Sequence, residues 1–180
     1  MRARKPPRWF DRLDRRITQL MADHGLTLLR LALGIVFFWF GVLKFFPGAS
    51  PAEQLAGRTI ETLTGGLVPA ATALPILAAW EVAIGIGLFV GRWMRAVLLL
   101  LFVQMLGTIT PLFLFPTETF TVFPIAPTLE GQYIIKNIVL ISAGLVIGAT
   151  VRGGAVVADP DVARAARQVE STREGDTPIG

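Results

Sequence analysis

The stretch Leu26–Phe46, LTLLRLALGIVFFWFGVLKFF, decides the fold. At the helical rise it is about as long as a bilayer's hydrocarbon core, so it reads as a membrane span. Within it lie two cations, Arg30 and Lys44. Steps of four and three connect Arg30, Gly34, Phe37, Gly41 and Lys44, which places both charges and both glycines on one helical face. Charge near a bilayer core is costly unless it snorkels or finds a partner, so this face is expected to look into protein. Leu31, Leu33, Val36, Trp39 and Phe40 form the other face, expected to meet lipid.

Composition supports this class. The chain has 180 residues, 53% of them hydrophobic, and a net charge of +4. Its basic residues flank apolar runs, where they act as orientation signals rather than as a nucleic-acid surface, so no nucleic-acid partner is expected. Without cysteine the chain makes no disulfide, thiolate metal site or thiol redox centre of its own. Its single histidine, His24, sits in a polar stretch before the first span, and no metal site is expected. The first apolar run is too long for a signal-peptide core, and Pro51 follows the small residues Gly48-Ala49-Ser50, so the span is read as retained.

Outward from this span, residues 1–24 form a basic segment. Trp9, Phe10, Leu13, Ile17 and Leu20 recur at helical spacing, which predicts a short amphipathic helix on the membrane surface. Pro47-Gly48 breaks the first span. Ser50-Pro51-Ala52-Glu53 then reads as a capping box with proline at the first helical position, and Gly65-Gly66 as the stop. Between them a short interfacial helix should lie over the mouth of the bundle. Further spans are expected at about 70–90, 96–115 and 134–151, within a membrane domain covering 25–152. Residues 116–133 read as an irregular, aromatic outer loop. Residues 153–180 read as a tail, with a short helix over Val162–Val169 and the rest largely disordered.

Charge sets the expected orientation. Residues 1–24, the Arg92/Arg95 turn and the tail together hold thirteen of the seventeen Lys and Arg. The two loops on the opposite side hold only Arg58, so both termini are expected in the cytoplasm. The fold class is therefore all-α, an integral membrane four-helix bundle with a short interfacial helix between the first two spans.

Polar residues inside the spans are the candidates for chemistry. Glu81 and Gln104 fall near the midplane, Arg30 towards the cytoplasmic side, and Lys44 with Lys136 and Asn137 towards the outer side. Glu81, Gly85, Leu88 and Arg92 share a seam on the second span. A charged interior follows, with Glu81 between Arg30 below and Lys44 and Lys136 above. Arg30 and Lys44 are about 21 Å apart along one helix, so a single carboxylate cannot touch both. Glu81, Lys44, Lys136, Asn137, Gln104 and Arg30 are thus the candidate ligand-binding residues. The structural alternative is a buried ion pair that fixes helix register, with Gln104 and Thr108 meeting hydrogen bonds between helices. No phosphate-binding loop or Ser–His–acid set is present, and the residues specify no reaction. If electrons pass through the protein, a partner or a diffusible carrier such as a quinone must hold them.

The segments LTLLRLALGIVFFWFGVLKFFPG, WEVAIGIGLFVGRWMR, TPLFLF and QYIIKNIVLISAGLVIG together resemble the DoxX-like superfamily of small four-helix membrane proteins, and its YkgB-like branch in particular. The likeness runs from about Leu26 to Arg152 and takes in Arg30, Gly41, Lys44, Glu81, Gly85, Lys136 and Asn137. It implies a bacterial inner-membrane protein of a group linked to quinone-associated sulfur oxidation and to oxidative-stress resistance. The expected function is a metal-free membrane subunit that binds a quinone or similar molecule beside redox partner proteins in the membrane or cytoplasm, with an oligomer compatible. The rivals are a small proton-coupled transporter built on Glu81 and a scaffold that recruits partners.

Overall fold

The computed structural model describes residues 8–50 and 53–175. Four of its helices are long and apolar enough to cross a membrane. The first, α1, runs unbroken over Arg8–Leu43. The amphipathic segment is therefore continuous with the first span and does not form a separate surface helix: no proline or glycine pair interrupts it after Arg8, and Gly25 alone does not break a helix. The span also ends earlier than expected, at Leu43, because Lys44, Phe45 and Phe46 turn back in tight turns on the carbonyls of Gly41, Val42 and Leu43.

Helix α2 covers Glu53–Leu63. The proline of the expected capping box lies outside the described residues, and the bonds shown are not those of the box: Glu53 accepts from the backbone N–H of Gly48 at 2.7 Å, and its own N–H donates to the Ser50 backbone carbonyl at 3.2 Å. The helix stops as expected. Gly65 and Gly66 both take positive φ, 60° and 81°. Their N–H groups donate to the carbonyls of Thr62 (3.1 Å) and Glu61 (2.8 Å), closing a Schellman motif.

Helix α3 spans Ala70–Val90 and α4 spans Met94–Ile109. Gly91, at φ 71°, caps α3 and donates to the Gly87 carbonyl, which turns the chain sharply into α4. Pro111 then splits the third span, because it has no N–H to continue the ladder. Two single turns follow, α5 at Pro111–Leu114 and α6 at Pro116–Thr119.

The segment expected to be irregular is ordered. Strands β1 (Phe120–Val122) and β2 (Ala126–Pro127) pair antiparallel. The last membrane helix, α7, then starts at Leu129 rather than near 134 and ends at Ala149. Its start signal is Thr128, whose hydroxyl accepts from the Gly131 N–H at 3.2 Å. Gly131 is needed there because any side chain would meet the Thr119 carbonyl. Helix α8, Pro160–Gly175, is longer than the Val162–Val169 expected in the tail.

Residues 29–152 form one compact unit. Within it glycines set the helix spacing. A Cβ on Gly41 of α1 would lie 2.9 Å from both Glu81 Cβ and Val82 N of α3, and one on Gly85 of α3 would lie 2.6 Å from Phe38 N. Helices α1 and α3 therefore touch backbone to backbone, as the Arg30–Lys44 seam predicts. Gly144 of α7 likewise leaves room for Phe102 and Leu101 of α4. Trp39 and Phe40 face outward as expected, but Leu33 is buried at 3% exposure. It lies beside Gly34 and one turn from the buried Phe37, so the inward stripe is wider than a strict heptad seam.

Candidate functional site

The site grows from the place where α1 ends beside the middle of α3. Because α1 stops at Leu43, Lys44 lies level with Glu81, halfway along α3. Lys44 Nζ donates to Glu81 Oε2 at 2.6 Å, and both side chains are 8% exposed. The ammonium also approaches the Phe40 carbonyl at 3.5 Å. Across from α4, Gln104 Nε2 donates to the other carboxylate oxygen at 2.8 Å. Each oxygen of Glu81 thus has one donor, which is what a buried carboxylate requires.

Beyond Leu43 the chain no longer covers α3, and α2 takes its place as a roof. Below it opens a cavity of about 430 Å³. Leu55, Ala56, Thr59, Ile60 and Leu63 of α2 form one side, and Ala73, Ile76, Leu77 and Trp80 of α3 another. Val103, Gly107 and Thr108 line it from α4, and Lys44, Glu81 and Gln104 supply its charged and amide groups. Ile76 and Val103 are 57% and 45% exposed, so this wall also meets the outer surface of the bundle. The roof is tied down at its far side. Arg58 pairs with Glu118 of α6 at 2.9 Å and stacks 4.7 Å over the ring of Phe115.

The other candidates lie elsewhere. Arg30 donates to the carbonyls of Leu88 and Phe89, the latter at 3.2 Å. These are last-turn carbonyls of α3, so the guanidinium caps that helix and favours its dipole. Gly91 makes room for it, since a Cβ there would collide with Arg30 Nη1. Lys136 does not meet Glu81: it is exposed, with its ammonium 5.2 Å from the ring of its neighbour Tyr133. Asn137 is half-buried, and neither residue lines the cavity. The expected set of three cations around Glu81 thus reduces to Lys44.

Sequence reasoning did not find the cavity. Its signals were present in the apolar side of α2 (Leu55, Ile60, Leu63) and in Trp80 next to Glu81, but no periodicity reveals a space between helices. Among the described residues no cluster of three or more His, Cys, Asp or Glu side chains is placed to hold a metal ion.

Four apolar helices, a buried ion pair and an adjoining apolar cavity define a polytopic helical membrane protein with a polar site inside its bundle. The family model for DoxX matches residues 25–122, more than half of the chain, and the protein belongs to the DoxX family. No curated protein and no solved structure matches it.

Proposed function

We propose that this DoxX-family protein binds a quinone, or a small molecule of similar apolar body and polar head, in the cavity beneath α2, and supports a membrane redox or oxidative-stress defence system. One observation carries the reading: Lys44, Glu81 and Gln104 stand together on the wall of an otherwise apolar cavity. Its volume of about 430 Å³ falls in the range of small-molecule sites. The half-exposed Ile76 and Val103 place one wall against lipid, from which an apolar ligand could arrive. Lys44 has three hydrogens, of which two have acceptors in Glu81 and the Phe40 carbonyl, so one remains for a ligand oxygen. A bound quinone would supply the electron-carrying chemistry, and the chain's residues would hold its head.

The same reading places the protein in the bacterial inner membrane with both termini in the cytoplasm, and in the YkgB-like branch of its family. Support for the orientation is the concentration of Lys and Arg in residues 1–24, the Arg92/Arg95 turn and the tail. Support for the branch is the joint presence of Arg30, Gly41, Lys44, Glu81, Gly85, Lys136 and Asn137 in the sequence. In this cysteine-free chain, Thr117→Cys should react with an impermeant thiol reagent applied to intact cells, and Val156→Cys should not. The reverse pattern would invert the topology.

The test of binding is Glu81→Gln, which keeps an oxygen for Lys44 and nearly the same volume. It should insert at normal abundance yet retain no quinone in lipid nanodiscs, as read by extraction and mass spectrometry, and fail to complement a stress-sensitive strain. Full activity of a well-expressed Glu81→Gln protein rejects the reading. Proton flux through wild-type vesicles that disappears in Glu81→Gln would support a transporter instead.

A further inference from the structure

Resting on the ligand-binding reading of the cavity, we propose that Gln104 makes it selective for a head group that donates a hydrogen bond, such as a phenol or quinol, over the matching quinone or ether. Gln104 is among the residues that line the cavity, and it is 9% exposed. Its amide orientation is fixed by its neighbour. Nε2 donates to Glu81 at 2.8 Å, and the reversed amide would set two oxygens against each other. The carbonyl oxygen must therefore face away from Glu81, and Oε1 is the one buried side-chain polar atom without a hydrogen-bond partner among the described residues.

The single-hydrogen donors that share the cavity wall cannot serve it, because they are already used. The Thr108 hydroxyl donates to the Gln104 backbone carbonyl at 2.9 Å, and the Thr59 hydroxyl to the Leu55 carbonyl at 2.6 Å. The Trp80 indole donates to the Leu100 carbonyl at 3.1 Å. Gln104 Oε1 itself has no donor, and burying an acceptor without one carries a desolvation penalty that native proteins rarely leave unmet. A hydroxyl fits this inventory in both directions, since it can donate to Gln104 Oε1 while accepting from Lys44. A carbonyl or an ether oxygen can only accept, and leaves Gln104 as it stands.

The test compares two probes that differ in that one hydrogen, para-octylphenol and its methyl ether, para-octylanisole. Their dissociation constants are measured against the full-length protein in lipid nanodiscs and expressed per mole of lipid, with empty nanodiscs as the baseline. Wild type should prefer the phenol by about tenfold. Gln104→Met, similar in length but without an amide, should bring the two probes within about twofold of each other. Thr108→Val should keep the preference. Equal binding of both probes by wild type overturns the proposal and leaves the cavity reading standing. An unchanged preference in Gln104→Met, or its loss in Thr108→Val, assigns the acceptor elsewhere and overturns it too. Wild type that binds neither probe rejects the cavity reading itself, and this inference with it. The wild-type ratio can overturn the inference even if Gln104→Met does not fold.

Discussion

The seam of the first span runs from Arg30 within α1 to Lys44 just past its end, and the structure uses the two cations differently. Arg30 is spent on the backbone, capping the last carbonyls of α3 with Gly91 shaped around it. Lys44 reaches a side-chain carboxylate whose other oxygen is held from α4, beside open space. At the Arg30 end the polar demand is local and closed. At the Lys44 end the polar groups stand at a cavity, and one acceptor goes unmet. A buried charge that completes a helix end is explained by the fold alone. A buried ion pair on a cavity wall leaves something for a ligand to do.

The largest effect expected from breaking this contrast is at the ion pair. Lys44→Met leaves Glu81 buried with only Gln104, and should lower stability in detergent thermal-unfolding assays by about 3–5 kcal/mol. Lys44→Met/Glu81→Gln should recover most of that loss, whereas Lys136→Met/Glu81→Gln should behave as Glu81→Gln alone. A gain in stability of Lys136→Met/Glu81→Gln over Glu81→Gln alone would restore Lys136 to the site.

Next comes the tight side of the bundle. Gly41→Leu pushes carbon into Glu81 Cβ and the Val82 backbone, and should cost about 1–3 kcal/mol or block assembly. Phe40→Leu, on the outward face, should stay within about 0.5 kcal/mol. Similar unfolding temperatures for the two would mean that this seam is not the close contact.

The roof should give a smaller signal. Arg58 and Glu118 are about half exposed, so Glu118→Gln should change stability by less than about 1 kcal/mol. It should nonetheless speed exchange of a bound probe if α2 must lift for the ligand to pass. An unchanged rate would favour passage through the wall at Ile76 and Val103. Smallest of all, Lys136→Met should alter neither stability by more than about 0.5 kcal/mol nor quinone retention, because its side chain lies outside the cavity.

The sequence by itself determined the class and the buried seams. Apolar length dictates four spans, and the seven-residue spacing of Arg30, Phe37 and Lys44 dictates which side of α1 turns inward. Gly65-Gly66 dictated where α2 stops, because only residues tolerant of positive φ close that motif. Tertiary structure decided the partners. In the sequence Lys44 and Lys136 both fall near the ends of apolar runs, and periodicity cannot say which of them meets Glu81; the early end of α1 does, by setting Lys44 level with the middle of α3. The order of residues 116–133 was hidden for a similar reason. Its turns are held by Thr119 and Thr128, which bond to carbonyls up to ten residues away in sequence. The cavity exists only because a short helix roofs what a longer α1 would have filled, and empty space between helices leaves no pattern along any one of them.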